Sequence, residues 1–142
     1  MQQQPKPWQK VEFFLYELNG ILKNSKLQHW GYEGIMTIDS AFSINKDGIL
    51  SLTVRYATDS SFIRTRMEAP VYKIESVSYD LYLILEYQGG EVTVYESEPG
   101  KNELVPLNKS NLFDIGVPQK DGYIQQEKLQ KLLEKVLKYC KN

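Results

Sequence analysis

Cysteine and histidine are nearly absent from this chain, which has one of each, Cys140 and His29. A single cysteine excludes an intramolecular disulfide and any multi-cysteine metal site. A single histidine excludes a multi-histidine site. His29 stands beside Trp30 where a helix should give way to a strand, and it reads as a junction residue. Cys140 falls on the apolar stripe of the last helix and reads as a packing residue, or as one exposed by fraying of the helix end, because a nucleophile needs a base and an orienting group. Long apolar runs are missing as well. Nowhere do about 18 apolar residues follow one another, so no membrane span is expected. Residues 1–8 are polar, contain proline and lack the basic-then-apolar order of a signal peptide. The expected compartment is a reducing cytoplasm.

Familiar catalytic signatures are missing too. There is no phosphate loop, no G-x-G-x-x-G, no G-x-S-x-G and no H-E-x-x-H, so no cofactor or metal ligand set is implied. No dense basic patch is present. The five lysines of the last helix (Lys128, Lys131, Lys135, Lys138, Lys141) are spaced by Glu127 and Glu134, as on a solvated face. Residues 68–103 carry eight acids against Lys73 and Lys101. An acidic middle argues against a nucleic-acid footprint there.

What remains is the composition of a folded domain: 142 residues, 42% hydrophobic and 25% charged, with a net charge of -1. That length suits one hydrophobic core. Ten tyrosines raise the expectation of sheet. Residues 1–142 read as a single domain with a loose arm at 1–7, a helix at 8–25, strands within 32–98 and a helix at 123–140. In the first helix Val11, Phe14, Leu15, Leu18, Ile21 and Leu22 recur every three or four residues, and Phe13 and Tyr16 widen the stripe. Gly20 would allow close packing against a sheet. In the last helix Leu129, Leu132, Leu133, Val136, Leu137 and Cys140 share one face, and Asp121 is placed to cap it.

Between the helices the period falls from 3.6 to 2. Three turns set registers. Asn45-Lys46-Asp47-Gly48 pairs Ile44 with Leu50, Phe42 with Leu52 and Ile38 with Tyr56. Thr58-Asp59-Ser60-Ser61 pairs Tyr56 with Ile63, Val54 with Thr65 and Leu52 with Met67. Gly89-Gly90, read as a two-residue hairpin, pairs Tyr87 with Val92 and Leu85 with Val94. Each register puts apolar on apolar. Pro70 ends the third strand or kinks it into the next. Residues 71–77 read as a weaker strand, 79–87 as a strong one and 104–107 as a short one. No period can be assigned through Pro118. The expected fold is α+β: a curved antiparallel meander of about six strands, with N-terminal and C-terminal helices covering one face.

Two faces carry the candidate binding residues. The hairpin registers set Asp39 opposite Arg55 and Arg55 opposite Arg64, with Arg66 two residues along. Such a row could hold an anionic ligand or acidic segment, and it is equally the pattern of a solvated sheet face. Asp80, Tyr82, Glu86 and Tyr95, with Thr93, fall on the polar face of the expected Gly-Gly hairpin. The leading expectation is a non-catalytic module binding a protein or ligand through this polar and aromatic face. The alternative is a small-molecule binder or enzyme with a pocket between curved sheet and helices, lined by Tyr32, Met36, Tyr56 and Met67. A third is a homodimer. A cavity above about 300 Å³ with convergent polar groups would favour the pocket over the face.

Overall fold

The structure, a computed structural model, describes residues 7–25 and 36–140. Residues 1–6 of the expected arm at 1–7, together with His29, Trp30, Tyr32 and the side chain of Cys140, fall outside the described residues, and Pro7, expected in the arm, begins the first helix. The chain is α+β. Helix α1 (Pro7–Asn24) is followed by β1 (Met36–Ile44), β2 (Ile49–Ala57), β3 (Phe62–Pro70), a 3-10 turn (Val71–Lys73) and β4 (Ile74–Asp80). Then come β5 (Tyr82–Tyr87), β6 (Val92–Ser97), β7 (Leu104–Ser110), β8 (Leu112–Gly116) and α2 (Gly122–Cys140). The strands form two antiparallel sheets, a large one ordered β1-β2-β3-β6-β7 and a small one ordered β4-β5-β8. The large sheet does not close into a barrel.

Helix stripes meet the sheets as their periodicity requires. Phe14, Leu18, Ile21 and Leu22 of α1 and Leu129, Leu133 and Val136 of α2 are fully buried. Each such side chain contributes roughly 1.5–3 kcal/mol. They join Phe42, Leu50, Leu83, Leu85, Phe113 and Ile115 in one core, where the Phe42 and Phe113 rings lie 5.7 Å apart. Phe13 and Tyr16 do not widen the α1 stripe; they are 64% and 80% exposed. Gly20 faces the Gln119 side chain, with Oε1 3.0 Å from where a Cβ would stand, rather than a sheet. Asp121 caps α2, accepting from the backbone N–H of Tyr123 at 3.0 Å and of Ile124 at 3.3 Å.

The first two turns act as their chemistry demands. Gly48 is left-handed (φ 78), and the Asn45 amide donates to the Ile49 carbonyl at 3.1 Å. Ile44 faces Leu50, as expected. Farther along, two one-residue slips in β1 shift the register, so that Ile38 faces Val54 and Met36 faces Tyr56. One slip would turn the strand's faces over; two restore them, and Met36 and Phe42 remain buried. The pairing of β2 with β3 is the expected one: Tyr56 with Ile63, Val54 with Thr65, Leu52 with Met67.

The Gly89-Gly90 hairpin is overturned. β5 and β6 belong to different sheets, so Tyr87 does not pair with Val92 nor Leu85 with Val94. The reversal lies instead at Leu81, which breaks the strand expected at 79–87. Counted out from that tip, Tyr79 faces Leu83 and Val77 faces Leu85. Beyond a corner, Met67 faces Val94 with one residue of slip. Residues 62–80 and 82–97 are therefore two arms of one long hairpin, bent at Pro70–Lys73 on one arm and Gln88–Glu91 on the other. The third arm, β7–β8, occupies the stretch that showed no period, and it changes sheets at Asn111. Among the described residues eight strands replace the expected six or so.

Candidate functional site

The arginine row forms, and its charges are used within the chain. Arg55 faces Arg64 as expected, but Thr37 rather than Asp39 stands opposite Arg55. Asp39 sits at the first slip of β1, from which its Oδ2 still accepts from Arg64 Nε at 2.9 Å and Arg55 Nε at 3.3 Å. The loop after β6 closes over both: Arg64 donates to the Asn102 carbonyl at 2.7 Å and Arg55 to Asn102 Oδ1 at 3.2 Å. The Arg55 guanidinium also lies 4.2 Å from the centre of the Phe62 ring. Arg66 donates to Glu68 at 3.1 Å and to Thr53 Oγ1 at 3.0 Å.

The second expected face is divided. Tyr95 lies in the large sheet opposite Arg66 and donates to Glu68 Oε1 at 2.9 Å. That hydrogen bond is the first cause holding its phenol pKa above the ordinary value, with desolvation second. Asp80, Tyr82 and Glu86 lie in the small sheet, where Asp80 faces Tyr82 and Glu86 accepts from Ser76 Oγ at 3.4 Å. The four residues share no face because Gly89-Gly90 is a corner.

A different site emerges on the inner face of the large sheet. A cavity of about 300 Å³ opens between that face and strand β8. Its apolar wall is Leu52, Val54, Tyr56, Met67, Val94 and Leu112; its polar groups are Thr65, Glu96, Asn108, Lys109, Ser110 and Asp114. Strand alternation explains the wall, since β2, β3 and β6 each turn alternate side chains inward. The bend between β7 and β8 brings in Leu112 and Asp114, for which the sequence offered no signal. Of the pocket residues expected, Tyr56 and Met67 line it, whereas Met36 is in the core. Strand β8, not a helix, supplies the opposing wall among the described residues.

Two polar groups at this cavity have no protein partner among the described residues. Thr65 Oγ1 is buried and makes no hydrogen bond. Asp114, half-buried opposite Ile84, receives no hydrogen bond or ion pair, and desolvation pushes its carboxyl up to about 6. Lys109 on the rim donates to Thr93 Oγ1 at 2.7 Å. Among the described residues no group of three or more His, Cys, Asp or Glu side chains is arranged to hold a metal ion. No described helix is long and apolar enough to cross a membrane. In comparisons with known proteins, no family model, no curated protein and no solved structure matches this chain.

Proposed function

We propose that this chain is a non-catalytic ligand-binding module whose site is the cavity between the large sheet and β8. The observation that carries the reading is the pairing of an apolar wall with the buried Thr65 Oγ1 and the half-buried Asp114 carboxyl, neither of which has a partner among the described residues. Buried polar groups are normally satisfied, because an unsatisfied one costs about 1–3 kcal/mol. A ligand that supplies the missing partners recovers that cost and buries apolar surface at once. The volume suits a small molecule. The arginine face ranks below the cavity because its guanidiniums already hold Asp39, Asn102, Glu68 and Thr53. A single cysteine suits work in a reducing cytoplasm.

The test is a titration with benzyl alcohol followed by amide NMR spectra. Shifts should cluster at Leu52, Val54, Thr65, Met67, Val94 and Asp114. Val94→Phe, which fills the cavity, should remove them, and Arg55→Ala with Arg64→Ala should leave them unchanged. Shifts confined to the arginine face would overturn the reading, as would none at all with benzyl alcohol and with its amine and carboxylate counterparts.

A further inference from the structure

The chemistry of the cavity wall selects among small ligands. Both acidic side chains on the wall, Asp114 and Glu96, are acceptors when ionised. Lys109, the one cation among the lining residues, is engaged with Thr93. Glu96 has a partner within the protein, so the carboxylate left to a ligand is that of Asp114. An anionic ligand would meet two carboxylates, with Lys109 at the rim as the one cation to offset them. A neutral apolar ligand would leave a desolvated carboxylate without a partner, the costlier outcome in a low-dielectric site. A ligand with a positive head and an apolar body satisfies both halves of the wall.

We propose that the cavity takes a compact molecule with an apolar body and a charged amine, its ammonium seated on the Asp114 carboxylate and its body against Leu52, Val54, Met67 and Val94. This rests on the cavity being the binding site. The ammonium has three donors; one reaches Asp114 and the others are within the chemical repertoire of Thr65 Oγ1 and Asn108. A charge-assisted bond of this kind, made out of water, is roughly twice as strong as a neutral one, which separates an amine from the alcohol of the same shape. Protonation of Asp114 removes the attraction. Around it the groups that titrate or carry charge are Glu96 on β6, Lys109 on β7 and Tyr56 on β2. On β5, Tyr82 and Glu86 flank its cross-strand neighbour Ile84.

Benzylamine, benzyl alcohol and benzoate, titrated into the full chain by calorimetry and NMR, decide the matter. Benzylamine should bind at least about tenfold more tightly than benzyl alcohol at neutral pH, with shifts at the same cavity residues, and benzoate should bind least. Asp114→Asn should remove the amine's advantage while leaving benzyl alcohol within about twofold of its original affinity; that retained binding shows that the variant is folded. Amine affinity should fall as pH drops through about 6, while that of the alcohol should not. Equal affinities for amine and alcohol at the cavity, or tighter binding of benzoate, would overturn the amine and keep the cavity. If none of the three shifts the cavity residues, the cavity itself is not the site.

Discussion

Leu81 and Gly116 show what single positions contribute to this fold. Leu81 turns the long hairpin alone, left-handed at φ 65 and 75% exposed. A left-handed leucine costs roughly 1–2 kcal/mol, and its exposed side chain recovers little by burial. Leu81→Gly should therefore stabilise the protein by about 1 kcal/mol once glycine's greater unfolded freedom is subtracted, read as a higher denaturation midpoint. Gly116 presents the opposite case. Its φ is 145, and a Cβ there would overlap the side chain of Ser25. The buried Ser25 hydroxyl donates to the Ile21 carbonyl at 2.8 Å and accepts from the Val117 N–H at 2.7 Å, tying the end of α1 to the end of β8. Gly116→Ala should cost about 2–3 kcal/mol through strain and displacement of that hydroxyl. Asp39 is a third such position, since it separates two arginines that face each other. Asp39→Asn should destabilise by about 1 kcal/mol at low salt, and by less at high salt. A salt-independent loss would show that Asp39 matters only for its shape.

At the scale of elements, the helices protect strand edges as well as filling the core. The outer edge of β4 is closed by α2: Gln130 Oε1 accepts from the Val77 N–H at 2.9 Å, and Gln126 Nε2 donates to the Val77 carbonyl at 3.0 Å. Asn19 of α1 does the same for β1 at Phe42, accepting from its N–H at 2.8 Å and donating to its carbonyl at 3.2 Å. Three side-chain amides thus stand in for neighbouring strands, which removes an invitation to edge-to-edge association. Replacing Gln126 and Gln130 together by leucine should cost about 1–3 kcal/mol and should raise the tendency to aggregate on heating. Unchanged stability and solubility would show that water serves the β4 edge equally well. The corner between the sheets has its own latch at Asn111, whose carbonyl accepts from the Tyr87 N–H at 2.7 Å and whose Oδ1 accepts from the Gly90 N–H at 2.7 Å.

For the whole molecule, the cavity sets a cost that depends on pH. Burial raises the Asp114 carboxyl to about 6, above the ordinary unfolded value near 3.9. Between those values the folded state binds more protons than the unfolded state, so stability falls as pH rises from about 4 to about 6. Asp114→Asn should remove this slope, raising the melting temperature at neutral pH and changing it little below about pH 4. A parallel offset at every pH would mean that Asp114 is solvated as it is in the unfolded chain.

Much of this was legible in the residues. Helix faces followed from a 3.6 period, and the β2–β3 register, with Arg55 opposite Arg64, from the Thr58–Ser61 turn; Asp39 was expected opposite Arg55, where the slips in β1 put Thr37 instead. These features are local: a period or a turn constrains residues only a few places apart, and short-range sterics and alternation suffice to specify them. The cavity, the divided Asp80/Tyr82/Glu86/Tyr95 set and the capped edges were not legible. Gly89-Gly90 shows why. Both glycines take the positive φ that a tight hairpin needs, 62 and 70, yet the same conformation also bends a strand between two sheets. Local backbone chemistry permits either outcome. The choice came from non-local pairing: extending the Leu81 hairpin across the corner joins β3 to β6 and leaves β5 to join β8. That choice placed Asp114 beside the apolar inner face of the large sheet, and only the tertiary structure could make it.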